Sequence, residues 1–181
     1  MIAPLHHPAE LAEQSATVDI LSGGRFDLGI GAGYRLPEFD LFGADINKRY
    51  TTTDATAREL RKLWSTIKPG PVQQRLPIWM GYAGPQGARR AGLLGEGLLT
   101  TRADLWPTYR DALIEAGHGE TAARMAGGIN GWVTEDPEGD WPVVARHVAA
   151  QFDSYRHHMV EGTGAPAPRP VDVDKLRNRG S

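Results

Sequence analysis

Cysteine is absent from the 181 residues, so disulfides, thiolate metal centres and cysteine nucleophiles are excluded at the outset. An excess of either charge is also lacking. Lys and Arg total 20 against 22 Asp and Glu, a net of −2 that offers no basic footprint for nucleic acid and no polybasic face for anionic lipid. No apolar run reaches the length of a membrane span, and the first residues show no charged region followed by an apolar one, so neither anchor nor signal peptide is expected. A small molecule is therefore the expected partner and the cytoplasm the expected setting. With 40% hydrophobic residues the chain can bury one substantial core.

Periodicity gives alternating elements. From Pro8 the pattern Leu11, Ala12, Ser15, Ala16 predicts a helix with proline in its first turn, ended by Ser22-Gly23-Gly24. Phe26 to Ile30 reads as a buried strand, Ala32 to Asn47 as a loop, and Tyr50 to Thr66 as a helix. Leu76 to Met80 is the next strand, Pro85 to Leu94 a helix, Gly97 to Thr100 a strand and Leu105 to Ala116 a helix. Met125 to Val133 follows as a weaker strand and Trp141 to Met159 as a long helix. Strand and helix in alternation predict an α/β fold around a parallel sheet. The Pro-rich, charged stretch 162–181 is expected to be an extended tail outside a domain spanning 1–161.

About five strands are counted, the first beginning at residue 1. A closed (β/α)8 barrel needs eight, over about 250 residues. A five-stranded open sheet binding phosphate at a switch point is the competing architecture.

The candidate chemistry sits at two strand ends. Gly29, Gly31 and Gly33 alternate along Leu28-Gly29-Ile30-Gly31-Ala32-Gly33-Tyr34, which in an extended strand leaves one face open to a flat ring or a phosphate. Relief of crowding where a strand meets a loop explains the same glycines. A dinucleotide fingerprint is disfavoured, because Tyr34 occupies the place of its third glycine and no helix opens there. The loop that follows carries Tyr34, Arg35, Glu38 and Asp40, with Glu38 a candidate acid or base and a solvated loop the plainer reading. At the second strand end, Gly81-Tyr82-Ala83-Gly84-Pro85 runs into a helix whose free N–H groups and dipole suit a phosphate, or into an ordinary helix capped by Gly84. Thr100 and Thr101 end the next strand on the same rim. The pairs His6-His7 and His157-His158 lack a third ligand at metal spacing, so no metal site is expected. Trp79, Trp132 and Trp141 are expected in the core or at its rim, with stacking on a flavin ring the alternative.

Taken in order, these segments resemble the luciferase-like family of flavin- and deazaflavin-dependent oxidoreductases. His7 to Gln14 with Asp19 to Arg25 is similar to that family's third helix and turn, and Phe26 to Glu38 to its fourth strand and loop. Leu76 to Gly97, with Arg90-Ala91-Gly92 and Gly95-Glu96-Gly97, is similar to its fifth strand, helix and sixth-strand entry, and Asn130 to Pro137 to its seventh strand. The resemblance spans roughly residues 4–160. It implies an incomplete (β/α)8 barrel of about five units, the first strands and the eighth falling outside this sequence, with FMN or the deazaflavin coenzyme F420 at the carboxyl ends of the strands and a possible homo-oligomer. By position it implies that Ala83 and Gly84 contact the cofactor phosphate region, that Thr100 and Thr101 lie near the phosphate, and that Gly31 and Gly33 line the cofactor cleft, with Tyr34 and Gly81 as further cofactor-binding candidates. Tyr34 stands where the deazaflavin sugar-phosphate dehydrogenases keep a catalytic glutamate, and Glu38 matches an acidic position in that loop. The implied activity is monooxygenation or hydride-transfer dehydrogenation or reduction of a small organic substrate. An inactive barrel or interaction module of the same family is the alternative.

Overall fold

The computed structural model describes residues 1–129 and 131–176. Two compact units emerge. The first comprises Met1–Gly33 and Ala44–Ile129; the second comprises Tyr34–Gly43 and residues 131–176.

In the first unit four strands, β1 (Leu28–Gly31), β2 (Ile78–Gly81), β3 (Gly97–Leu99) and β4 (Met125–Ala126), form one sheet in the order β1-β2-β3-β4. Every pairing is parallel, with Gly31 opposite Gly81 and Gly81 opposite Leu99. Ile2 adds one parallel bridge to Gly31 on the free side of β1. That bridge occupies the fifth strand position expected from the sequence. The spatial order follows the chain without reversal, so there is no switch point of the kind a doubly wound sheet requires. Unbroken sequential parallel order is how a (β/α)8 barrel is wound, and this chain carries part of such a barrel.

The helices of this unit are α1 (Pro8–Ser22), α3 (Arg49–Trp64), α4 (Gly84–Leu94) and α5 (Trp106–Glu115), with neighbours in the chain packed on one another. Local chemistry sets their ends. His7 Nδ1 accepts from the Ala9 N–H at 3.2 Å and Pro8 opens α1, while Gly23 closes it at a φ of 65°. Leu28, Ile30, Ile78, Met80 and Leu98 point from the sheet into a core shared with Leu11, Ala57, Leu60, Ala88, Tyr109 and Leu113. Each fully buried Leu or Ile contributes about 1.5–3 kcal/mol of transfer free energy. Helix α4 buries mainly Gly87, Ala88, Ala91 and Gly92, which permits close packing on α5: a Cβ at Gly92 would lie 2.4 Å from the Tyr109 carbonyl oxygen. The Tyr109 hydroxyl donates to the Glu96 carbonyl at 2.9 Å and accepts from the Arg124 N–H at 3.1 Å, pinning the entries to β3 and β4.

At the amino ends of the strands a second polar cluster supports the sheet. Buried Glu96 accepts from Arg61 at 2.7 and 2.5 Å and from the more exposed Arg75 at 3.1 Å. Arg61 also reaches the Leu76 carbonyl at 2.6 Å. Asp19, on α1, accepts from the backbone and side chain of Gln73 at 3.0 and 2.7 Å.

The second unit contains α2 (Leu36–Phe42), α6 (Pro137–Val160) and α7 (Val173–Leu176). Asp136 caps α6 by accepting from the Gly139 N–H at 2.9 Å. Arg35 bridges Glu38 and Glu161, both at 2.9 Å.

Three expectations are corrected. The stretch Ala32–Asn47 is not a plain loop, since it holds α2 and a short 3-10 helix, Ile46–Lys48. Pro37 in the first turn and Gly43 at a φ of 65° are the punctuation that starts and stops α2. The strand expected over Met125–Val133 shrinks to Met125–Ala126, and residues 131–136 are not strand, Asn130 lying outside the described residues. Gly127 follows at once, where a Cβ would lie 1.9 Å from the Thr100 carbonyl oxygen, so the backbones are already in contact there. Finally, the tail is not wholly extended: α7 packs on α6, and the Val171 N–H donates to Asp153 at 2.8 Å. The expected tail residues 177–181 lie outside the described residues.

Candidate functional site

Pleating separates the two faces of the sheet. Opposite the helix-packed core, the register brings Gly29, Trp79 and Gly97 into one row and Gly31, Gly81 and Leu99 into the next. The first row is filled: a Cβ on Gly97 would come within 2.6 Å of the Trp79 ring, so that glycine exists to admit an indole. Trp79 is held there by Nε1 donating to Asp27 at 2.7 Å and by the Arg124 guanidinium 5.3 Å from its ring centre. The second row, nearer the carboxyl ends, carries only glycine backbone on β1 and β2. A Cβ on Gly31 would meet nothing closer than the Gly81 carbonyl oxygen at 3.6 Å. Gly97 thus relieves crowding against Trp79, whereas Gly31 presents bare backbone; Gly81 is exposed, but a Cβ there would lie 3.3 Å from the Ile30 carbonyl oxygen.

Beyond the strands the rim is built from Gly33, Ala83, Gly84, Thr100 and Thr101. Gly33 has left the extended conformation, with a φ of 73°, so it does not continue the alternating face of Gly29 and Gly31. Ala83 stands just before the first residue of α4, at its N-cap. Its side chain offers no oxygen, no other side-chain cap replaces it, and Pro85 has no N–H to satisfy. The N–H groups of Ala83, Gly84 and Gln86 are the orphan donors of this terminus. Gly84 takes a φ of 76°, and a Cβ there would have no atom within 4 Å. An uncapped helix start that opens onto free space is suited to an anion. On the neighbouring strand the Thr100 N–H donates to Ala126 at 2.9 Å, its Oγ1 accepts from the Arg102 N–H at 3.4 Å, and Thr101 is exposed.

The structure thus brings Gly31, Gly81, Ala83, Gly84, Thr100 and Thr101 to the carboxyl ends of adjacent strands of one unit. Tyr34 and Glu38 belong to the second unit. Tyr34 packs against Tyr155 with ring centres 4.9 Å apart, and burial, with Tyr155 and Glu38 nearby, raises its pKa. Glu38 lies in the first turn of α2 with its carboxylate on Arg35. The hydrogen bond from Arg35 to Glu161 lowers the Glu161 pKa. Arg35 thus ties the Glu38 side chain to Glu161, an arrangement that holds α2 against the end of α6. Trp132 and Trp141 pack together at 5.6 Å in the same unit. Among the described residues no group of three or more His, Cys, Asp or Glu side chains is placed to hold a metal ion, and no helix is long and apolar enough to cross a membrane.

Sequence reasoning missed one group behind the rim. Tyr82, at the end of β2, is 2% exposed, and its hydroxyl donates to Asp54 Oδ1 at 2.6 Å, while Arg90 pairs with the other Asp54 oxygen. The available signal was Asp54 itself, an acidic residue on the α3 stripe that also carries Ala57 and Leu60.

A model of the luciferase-like monooxygenase family matches residues 1–170. Among curated relatives, the F420-dependent glucose-6-phosphate dehydrogenase of Amycolatopsis mediterranei is 28% identical over 130 residues, covering 61% of this chain and 39% of that protein. Among solved structures, the monooxygenase RslO1 from Streptomyces bottropensis aligns over 86% of this chain and 59% of its own, with a TM-score of 0.67 and 23% identity. An F420-dependent secondary alcohol dehydrogenase, in complex with an F420-acetone adduct, aligns over 96% of this chain and 58% of its own, with a TM-score of 0.64 and 22% identity. The chain thus spans less than two thirds of the length of each of these relatives.

Proposed function

The chain belongs to the luciferase-like monooxygenase family, and from that premise we propose that its strand ends form part of the FMN or F420 site of an oxidoreductase acting on a small organic molecule. The observation that carries the proposal is the pairing of a row of glycine backbone without side chains, Gly31 and Gly81, with an uncapped helix start at Ala83–Gly84 on the same rim. A ring with a phosphate-bearing tail needs both features. The glycines admit a flat face against backbone, and the free N–H groups of Ala83, Gly84 and Gln86 meet the phosphate, with Thr100 and Thr101 beside them as hydroxyl donors.

When bound, such a ring supplies two-electron hydride chemistry, with oxygen as acceptor where the cofactor is FMN. This chain's own contribution is to bind and orient. The dipole of α4 favours negative charge at its start, and Pro85 stiffens the turn without competing for the anion. Trp79, fixed by Asp27 and Arg124, forms a rigid floor one row below the glycines.

The name of the Amycolatopsis relative supports F420 as the first cofactor to test. Tyr34 in place of the glutamate used by sugar-phosphate dehydrogenases argues for a different substrate from theirs. Monooxygenation and hydride-transfer dehydrogenation remain the two activities of this reading, with a homo-oligomer and a cytoplasmic setting as its working context.

Incubation with F420 and, separately, with FMN, followed by gel filtration, tests the proposal. Co-elution of visible absorbance with the protein is the expected result. Elution of both cofactors in the free fraction defeats it for this chain and leaves the inactive-module alternative standing.

A further inference from the structure

The proposed role of Gly81–Gly84 uses only backbone, and behind that backbone stands the buried cluster of Tyr82, Asp54 and Arg90. Its three members come from three elements: the end of β2, the second turn of α3 and the second turn of α4. Asp54 is 7% exposed, and an anion in such surroundings is costly unless it is paired and hydrogen-bonded. Tyr82 and Arg90 satisfy it from two sides. The Tyr82 hydroxyl also lies 3.4 Å from the Tyr50 carbonyl, its ring meets Tyr50 edge-on at 5.8 Å, and Arg90 stands 5.8 Å from the centre of the Tyr50 ring. Burial, reinforced by the bond to Asp54, raises the Tyr82 pKa far above its ordinary value, so the hydroxyl remains a donor at neutral pH.

Gly87 shows what the cluster constrains. A Cβ at that position would lie 2.7 Å from the Tyr82 Cβ, so the first turn of α4 rests flat on Tyr82. Arg90, one turn further along, is tied to Asp54 on α3. The turn that carries the orphan N–H groups is thus clamped from below by one residue and from behind by another.

We infer that Tyr82, Asp54 and Arg90 are positioning residues that lock the first turn of α4 onto α3, so that the Ala83, Gly84 and Gln86 N–H groups are already aimed at a cofactor phosphate before it binds. This rests on the functional reading above. Donors fixed in advance lose no further conformational freedom on binding, and their loosening weakens what the phosphate contributes while sparing what the ring contributes.

Tyr82→Phe removes only the hydroxyl and keeps the ring on which Gly87 packs. Affinity is measured for FMN and for riboflavin, which lacks the phosphate, and likewise for F420 and its phosphate-free riboside. Backbone amide exchange is followed in the ligand-free protein. The expected result is a loss of about tenfold for the phosphate-bearing ligand, a change within about twofold for its phosphate-free partner, and faster exchange at Ala83, Gly84 and Gln86. Asp54→Asn is a second variant with the same expected pattern if Tyr82→Phe does not fold. Equal losses for both ligands reveal a general structural role and overturn the inference, as does an unchanged affinity for both. If the unaltered protein binds none of the four probes, the functional reading fails and the phosphate role fails with it. If it binds them and the variant shows no selectivity, only the positioning role fails.

Discussion

Replacing Gly84 by Ala separates the structural cost of a residue from its cost to a ligand. Gly84 sits at a φ of 76°, where an L-residue is disfavoured by roughly 1–2 kcal/mol. Part of this is offset, since Ala restricts the unfolded chain by about 0.4–1 kcal/mol relative to Gly. The new methyl group meets no atom within 4 Å, so no steric term is added within the protein. The net destabilisation is therefore about 1 kcal/mol, equivalent to a fall in Tm of about 2–4 °C for a chain of this size. The ligand experiences a larger effect. A phosphate oxygen bonded to the Gly84 N–H would share its space with the methyl, and loss of one hydrogen bond to a charged group removes about 1.5–3 kcal/mol, or roughly 10- to 150-fold in affinity. Differential scanning fluorimetry and a fluorescence titration with FMN or F420 read the two effects separately. A Tm that falls as stated while cofactor affinity stays within about twofold refutes the placement of a phosphate at this helix start.

Two further outcomes concern the opposite end of the sheet. Glu96→Ala strands the guanidinium of Arg61, itself only 20% exposed, and should cost about 3–5 kcal/mol, whereas Arg75→Ala, at 60% exposure, should cost under about 1 kcal/mol by urea unfolding. Asp19 is buried. Desolvation acts to raise its pKa, but its hydrogen bonds from Gln73 prevail and lower it. A folded pKa below the unfolded value means that the unfolded chain takes up the proton first, so this contribution is present above about pH 4 and is lost as pH falls through the lowered value. Asp19→Asn should be less stable at neutral pH by about 1–3 kcal/mol, and its deficit should shrink in acid; a constant deficit down to acid unfolding contradicts the assignment.

Much of the fold was legible because the relevant signals are short-range. Pro8 and Gly23 bracket α1 in the sequence as they do in space, and the apolar pairs Leu28/Ile30 and Ile78/Met80 mark strands whose other face is glycine or tryptophan. Helix α2 escaped notice because seven residues give too little periodicity, although Pro37 and Gly43 punctuate both its ends. The close approach of Gly127 to Thr100 across the sheet, just past β4, was not readable locally. The same holds for the site. Glycine spacing singled out Gly29, Gly31 and Gly33, of which Gly33 leaves the extended strand, while the roles of Gly97 as a seat for Trp79 and of Tyr82 as a clamp for α4 are products of cross-strand register and helix packing. Glu38 shows the converse: an acidic residue with a chemical look in the sequence becomes, beside Arg35 and Glu161, one member of an ion-paired bracket.

The central claim is that a cofactor phosphate meets the start of α4. Amide chemical-shift mapping of the isotopically labelled protein during titration with F420, and with FMN, addresses it most directly. The account predicts that the largest saturable shifts fall on Ala83, Gly84 and Gln86, with smaller ones at Gly31, Gly81, Thr100 and Thr101. Saturable binding that leaves the 83–86 amides unmoved, or no binding of either cofactor, would contradict it.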